Sequence, residues 1–536
     1  MKENIENTVT ITRQYHIIPV SSDRKEWDKR IRSFIIEDSK NKIEYLEKKL
    51  KVEKEKSKKE EIHKKIESYN SQIEIAESGG EFTQKMVSDY TYNLVRTAMK
   101  EESARKNYIL AWIFSEMTAA RIDLMDNLKD KFKFISDTIN YAYRKKRSNK
   151  GSLFDETEIS SILNSYGTAF SKEFTSKIKD LVKSGWLEGK ISCPNYKSDS
   201  PFTIAKAHFS FDHDYESFEE LCEHIEDSDC KLYMNYGGNN RRTGTNPASL
   251  ARFRIDLGHG KNRNELKATL LKVYSDEYQY CGSSIGINSK NKIILNLSIK
   301  IPKVETELDE NTVVGVDLGI AIPAMCALNN DMYERLAIGN VNEFLRVRTK
   351  HQAQVRRLQK SLKNARGGHG RRKKLKALER MKKSEAHFVE NYCHMVSRRV
   401  VDFAVKNRAK YINAENLTGY DTNDFILRNW SYYKLQQYIT YKAQRYGIEV
   451  RRINPCYTSQ VCSVCGHWES DQRKTQAKFE CANPECKSHS KYKHGFNADF
   501  NAARNIAMST LFMESGEVTE KKKEEARKYY RINTVA

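Results

Sequence analysis

The sequence predicts a multidomain α+β protein. Three observations carry that expectation. The chain is 536 residues long, too long for one ordinary core. Its apolar period changes from helical to alternating near residue 195, then to interleaved strands and helices from Asn311. A four-cysteine cluster, Cys462, Cys465, Cys481 and Cys486, interrupts this last region.

Residues 1–23 contain the first strand. Thr8 to Val20 alternates and is rich in β-branched types, and it is expected to complete a later β-rich module. Residues 24–195 read as a charged helical domain. Ile43, Leu46 and Leu50, then Ile62, Ile66, Tyr69 and Ile73, recur at three- and four-residue steps. The charged stretch between them fits either a turn joining antiparallel helices or one long helix. After Gly79-Gly80 a second helical group offers Trp112, Ile113, Phe114, Ile122 and Leu124 as core. It ends in Arg144-Lys145-Lys146-Arg147, with a loop over 148–152.

Residues 196–308 form the β-rich, barrel-like module. Ala251–Leu257, Lys267–Tyr274 and Lys292–Ile301 are expected as antiparallel strands with a polar face. Gly237-Gly238-Asn239-Asn240-Arg241-Arg242 is a basic, turn-rich connection.

From residue 309 the expected order is strand, hairpin, strand, long helices, strand, helix, strand, which a ribonuclease-H-like sheet requires. Val313–Val316, Ala324–Leu328, Arg335–Ile338, Lys410–Asn413 and Ile448–Ile453 supply the strands. This domain covers 309–456, breaks for the cysteine segment at 457–495, and closes with a helix in 496–512. A tail, 513–536, has no function legible in its residues.

Composition limits the partners. Lys and Arg total 93 against 71 Asp and Glu, a formal charge of +22, which favours a polyanion. No apolar run approaches the ~18 residues of a membrane span. The N-terminal residues lack the apolar core of a signal peptide. Eleven cysteines with four clustered fit a reducing compartment and one metal site better than a disulfide framework. Residues 344–383 hold sixteen Lys or Arg and a single acid, Glu379. Arg346, Arg348, Lys350, Arg356, Arg357, Lys360, Arg371, Arg372, Lys373 and Lys374, with Arg241 and Arg242, are therefore expected against nucleic-acid phosphates. Gly367-Gly368-His369-Gly370 is expected to break that helix.

Three carboxylates carry the chemistry. Asp317 ends an apolar strand in Val-Val-Gly-Val-Asp-Leu-Gly, and Glu415 ends another in Tyr-Ile-Asn-Ala-Glu-Asn-Leu. Asp499 opens a small-residue helix in Asn-Ala-Asp-Phe-Asn-Ala-Ala-Arg-Asn-Ile. Gathered together they suit two Mg²⁺ ions ~3.5–4 Å apart, the arrangement that hydrolyses phosphodiesters. The glycines around Asp317 are expected to admit backbone and phosphate closely. Cys462-x-x-Cys465, fifteen residues, then Cys481-x₄-Cys486 has zinc-ribbon spacing. Four protein ligands leave no open position, so the Zn²⁺ is structural. His467, His489 and His494 are not needed. Cys193, Cys222, Cys230, Cys281, Cys326, Cys393 and Cys456 lack comparable pairing.

These segments, with Thr-Ser-Gln-Val-Cys-Ser-Val-Cys-Gly-His, resemble the RuvC and zinc segments of TnpB-type proteins, and are most similar to the miniature type V-F CRISPR effectors. The match is specific over about residues 311–512 and weaker before. It implies a guide-RNA-directed nuclease that cuts double-stranded DNA beside a short flanking motif with one Mg²⁺-dependent RuvC site. Asp317, Glu415 and Asp499 would be its catalytic acids, and Arg473 takes the place of an arginine that reaches the active site. The helical segment would be the recognition lobe and the β-rich segment the wedge domain. Implied partners are guide RNA, as crRNA with tracrRNA or one fused guide, and target DNA, in a prokaryotic cytoplasm and antiviral defence. Type V-F relatives act as a homodimer on one guide, TnpB relatives as monomers, and the long N-terminal helices favour the former. Some compact relatives carry an N-terminal zinc finger, but residues 1–150 contain no cysteine. Competing readings are a transposon-encoded TnpB-type nuclease, a cleavage-inactive RNA-guided regulator, a basic RNA-binding scaffold and a guide-independent nuclease.

Overall fold

A computed structural model describes residues 8–119, 129–137 apart from 131 and 135, 176–225 apart from 177, 183–185 and 187–191, 230–416 apart from 238, 241–243, 246–247, 259, 261, 320 and 365–366, then 432–491, 495–513 and 518–532. The chain divides into two compact units, one of Thr10–Ile301 and one chiefly of Pro302–Ala536.

The first unit begins with β1 (Thr8–Val20), in which Tyr15, Ile17 and Pro19 alternate inward. The charged region then folds as two helices, α1 (Lys25–Val52) and α2 (Lys56–Ser78). They are antiparallel: Arg32 donates to the Ile75 and Ala76 carbonyls at 3.2 Å, and Lys42 lies over the Tyr69 ring. Gly79 closes α2 in the left-handed conformation at φ +81°. Helix α3 (Gln84–Ala119) buries Met86, Val87, Tyr90, Leu94, Val95 and Ala98. Phe114, expected in the core, is instead 39% exposed and tilts against Trp186. The side chains of Trp112 and Ile113, residues Ile122 and Leu124, and segments 144–147 and 148–152 lie outside the described residues, as do Arg241 and Arg242.

An eight-stranded sheet follows. It uses β2 (Phe202–Ile204), β3 (Phe209–His213), β4 (Leu232–Tyr236), β5 (Ala251–Asp256), β6 (Gln279–Tyr280), β7 (Ser283–Ile287) and β8 (Ile293–Pro302). The order is β2-β7-β8-β1-β5-β4-β3, with β6 also paired to β8. The sheet curls into a half-barrel with β2 and β3 as its edges. Its curvature brings Phe202 of β2 within 5.9 Å of Tyr236 on β4, and Phe209 of β3 within 5.0 Å of Tyr280 on β6. Ile293, Leu295, Leu297, Ile299 and Ile301 line the inner face at every second residue.

The expected strand over Lys267–Tyr274 is a helix, α4 (Arg263–Tyr274). Leu266, Thr269, Leu270 and Val273 are its buried residues, a 3,4 spacing that β-branched content alone concealed.

The second unit holds a five-stranded mixed sheet. Its strands are β9 (Asp309–Asp317), β10 (Ala324–Leu328), β11 (Arg335–Ile338), β12 (Ala409–Glu415) and β13 (Glu449–Ile453). They lie in the order β11-β10-β9-β12-β13. The first two pairings are antiparallel, while β9 to β12 and β12 to β13 are parallel. Between β11 and β12 run α5 (Val341–Lys363) and α6 (Gly368–Lys406), separated where Gly367 and Gly368 adopt φ +120° and +72°. Helix α7 (Tyr432–Gln444) connects β12 to β13.

Side-chain alternation divides the sheet faces. Val314, Val316, Ala324 and Cys326 pack with Cys393, Val396 and Val400 of α6 and Leu435 and Ile439 of α7. Met325 and Ala327 face the other way, against Ala498, Phe500 and Ala503 of α8 (Ala498–Met508) and the cysteine segment. The C-terminal residues form α9 (Glu520–Tyr529), tied back by Asn454 Nδ2 on the Lys522 carbonyl at 2.8 Å and Arg527 Nε on the Tyr457 hydroxyl at 2.9 Å.

Candidate active site and thiol cluster

The parallel register places two acids side by side. Val316 pairs with Ala414, so Asp317 and Glu415 end neighbouring strands at the same level. Glu415 is held twice: its carboxylate accepts the Thr458 hydroxyl, and its carbonyl accepts Gln436 Nε2 at 2.6 Å. Asp499 enters from the first turn of α8, whose cap, Asn497, accepts the Phe500 N–H at 2.8 Å. Arg473 reaches in from the cysteine segment. Its Nη2 lies 3.3 Å from Asp499 Oδ1 and donates to the Gln476 carbonyl at 2.8 Å. All four residues read from the sequence therefore meet in one place.

Small and polar residues fix α8 there. A Cβ on Gly315 would lie 1.9 Å from the Ala503 carbonyl oxygen, so only glycine lets the helix approach β9. At Gly315 the close approach expected of the glycines around Asp317 is therefore that of the α8 backbone. Gly319 shapes the turn beyond the acid, where a Cβ would meet the Ile322 carbonyl at 2.9 Å. Asn413 Nδ2 donates to the Ile506 carbonyl at 3.0 Å, and Asn505 Nδ2 to the carbonyls of Thr458 and Val461 at 2.7 Å.

The electrostatics follow from crowding. Asp317 is held well above the usual carboxylate range by loss of solvent, then by the charges of Glu415 and Asp499, with Arg473 opposing. Glu415 is raised to about 7 by burial, against the Thr458 hydrogen bond and Arg473. Asp499 is raised by burial and drawn back by Arg473. Three acids with one guanidinium leave an excess of negative charge that a cation would neutralise. Their donors are all oxygen, the set Mg²⁺ prefers.

The four cysteines form the second cluster. Their sulfurs lie within 4.8 Å of one another, with Cys462 to Cys486 at 3.8 Å and Cys465 to Cys481 at 3.6 Å. A tetrahedron with metal–sulfur bonds of ~2.3 Å has edges of ~3.8 Å, so the set fits one tetrahedral metal. The Ser488 hydroxyl at 3.1 Å from Cys486 Sγ and Asn483 Nδ2 at 3.9 Å from Cys465 Sγ supply donors suited to thiolates. His489 contacts the Asn483 carbonyl and His467 contacts Glu469, while His494 lies outside the described residues. The other seven cysteines are free thiols; Cys230, Cys326 and Cys393 are buried.

The basic helices divide their charges. Arg346, Lys350, Arg356, Arg357, Lys360, Arg372 and Lys373 are exposed. Arg348 is committed to Glu385 at 2.9 Å. Arg371 and Lys374 donate to the Leu362 and Ser361 carbonyls at 3.1 and 3.2 Å, closing the end of α5.

Sequence reasoning passed over Thr458 and Gln436. Thr458 stood in the quoted Thr-Ser-Gln-Val-Cys segment, but nothing local tied it to an acid 43 residues away.

Residues 432–506 match the family model described as Cas12f1-like, TNB domain. The CRISPR-associated endodeoxyribonuclease Cas12f1 of Sulfoacidibacillus thermotolerans is 34% identical over 347 residues, covering 63% of this chain and 75% of that one. The Cas12f1 of Syntrophomonas palmitatica is 37% identical over 232 residues, 38% of this chain and 46% of that one. InsQ of Escherichia coli, a putative RNA-guided DNA endonuclease, is 25% identical over 40% of this chain and 56% of its own. A solved Cas12f1–sgRNA–target DNA complex aligns over 95% of this chain and 100% of that one, with TM-score 0.58 and 20% identity. With these relatives, the chain falls in the class of DNA-hydrolysing enzymes. It belongs to the Cas12f1 family of CRISPR-associated endodeoxyribonucleases.

Proposed function

We propose that the protein is an RNA-guided endonuclease that cuts double-stranded DNA beside a short flanking motif, using one ribonuclease-H-like (RuvC) site. The carrying observation is the convergence of Asp317, Glu415, Asp499 and Arg473 from four separate segments. The β11-β10-β9-β12-β13 order, with helices on both faces, supports the RuvC assignment. The half-barrel serves as the wedge and α1 to α3 as part of the recognition lobe.

Asp317, Glu415 and Asp499 would hold two Mg²⁺ ions. When bound, the metal supplies activation of water and stabilisation of the leaving oxygen. Thr458 fixes the Glu415 carboxylate in direction and Gln436 holds the Glu415 backbone, which limits the reorganisation the site undergoes during reaction. Arg473 offsets charge at Asp499 and would stabilise the charge that develops on the phosphate. Cys462, Cys465, Cys481 and Cys486 hold a structural Zn²⁺ that fixes the loop carrying Arg473. Exposed Arg346, Lys350, Arg356, Arg357, Lys360, Arg372 and Lys373 position the guide–target duplex by its backbone, while base pairing supplies sequence. The assembly is two copies on one guide RNA, made of crRNA with tracrRNA or a single fused guide, acting in the cytoplasm. No described helix is long and apolar enough to cross a membrane.

The test is to sequence RNA that co-purifies from cells carrying the native locus, then assay Mg²⁺-dependent cutting of a matched duplex. Spacer-bearing RNA and guide-dependent cutting are expected. RNA from a transposon end would move the protein to the TnpB type, and binding without cutting would make it a regulator.

A further inference from the structure

Beside the acid centre lies a cavity of about 340 Å³, lined by Ile322, Met325, Arg335, Ala337, Phe496, Asn497 and Phe500. Met325 of its lining pairs with Asp317 across β9 and β10, and Asn497 and Phe500 flank Asp499 at the start of α8, so the cavity adjoins residues next to two of the acids. Its wall combines apolar surface with one cation. The Arg335 guanidinium lies 4.9 Å from the Phe500 ring centroid and has no carboxylate partner among the described residues. Arg335 and Ala337 are exposed on β11, an edge strand, while Phe496 and Phe500 are anchored in the core behind them. A planar guanidinium over an apolar, aromatic floor is the surface on which a nucleobase stacks, and its charge complements the adjoining phosphate.

We infer that this cavity receives one unpaired base of the DNA strand being cut, next to the scissile phosphate. The inference rests on the nuclease reading above. Base capture splays the strand and sets the phosphate against the acids. The interaction tolerates any base, because every base offers a π-face and the cavity presents few hydrogen-bonding groups.

The experiment uses guide-loaded protein purified with its own RNA, and matched duplexes carrying a single abasic nucleotide at successive positions across the cut. For the wild type, one position should lower the cutting rate about tenfold, the value of one stacked base. Ala337→Phe, which fills the cavity from an exposed position, should slow the natural duplex by a similar factor with unchanged target binding. The abasic nucleotide should then cost nothing further, because both changes remove one interaction. Arg335→Ala should give a smaller loss with the same lack of additivity. Independent, multiplying penalties, or Ala337→Phe cutting at the wild-type rate, would overturn the inference while leaving the nuclease reading intact. Wild-type protein that binds target without cutting would overturn both.

Discussion

Gly315 of β9 and Ala503 of α8 are in backbone contact: a methyl group on Gly315 would sit 1.9 Å from the Ala503 carbonyl oxygen and 2.3 Å from the Ala507 nitrogen. The spacing between sheet and helix is thus set by the absence of one side chain, and Asp499 rides on that helix. Gly315→Ala should push α8 outward. The expected cost is about 1–3 kcal/mol of stability, with a larger loss of cutting than of target binding. Thermal unfolding and a cleavage assay on the same preparation check it. Wild-type cutting by a folded variant would detach α8 from the acid centre.

Asp317→Asn and Asp317→Ala should reduce cutting to background while guide and target binding stay nearly intact. Asp317→Asn should also raise the melting temperature of metal-free protein, since burial first, and then the charges of Glu415 and Asp499, disfavour an ionised Asp317 in the folded state. Loss of target binding by a folded variant would refute the role.

The metal-free protein should lose stability as pH rises. An unfolded glutamate ionises near 4.5, whereas folded Glu415 keeps its proton to about 7. Between those values the folded state binds more protons, so stabilisation is full below the unfolded value and disappears as pH passes the folded one. The effect reaches roughly 3 kcal/mol at most, reduced by the solvent screening that partial exposure allows. Mg²⁺ binds the ionised form, so the thermal shift it produces should grow from pH 6 to pH 8. A pH-independent Mg²⁺ shift would contradict this.

Arg473→Ala should slow cutting on the order of 10²-fold, the scale for losing a preorganised electrostatic group. Arg473 lowers the pKa of all three acids, so the acidic limb of the pH–rate profile should move upward. An unmoved limb would limit Arg473 to holding the loop at Gln476.

Cys465→Ser should lower zinc content and unfold the 457–495 segment at lower temperature; elemental analysis and limited proteolysis read both. Full zinc occupancy would argue against the four-thiolate site.

Changing Arg356 and Arg357 to Ala should weaken nucleic-acid binding and flatten its log–log salt dependence by about 2. Arg348→Ala should leave that slope alone and instead destabilise the α5–α6 pair, because its charge is bound to Glu385. An unchanged slope in the first variant would place the duplex elsewhere.

Local composition by itself determined the strand ends bearing Asp317 and Glu415, the helix start bearing Asp499, the pairing of four cysteines and the basic run. Each depends on neighbours within a few residues, where periodicity and spacing are legible. Tertiary structure decided what depends on distant partners. It assigned Thr458 and Gln436 to Glu415, tied Arg348 to Glu385 and Arg371 and Lys374 to the end of α5, and gave Gly315 to α8. It also made Arg263–Tyr274 a helix and left the curled sheet open at β2 and β3. For these side chains the deciding hydrogen bond, ion pair or close contact lies nine or more residues along the chain, beyond the few neighbours that set periodicity and spacing.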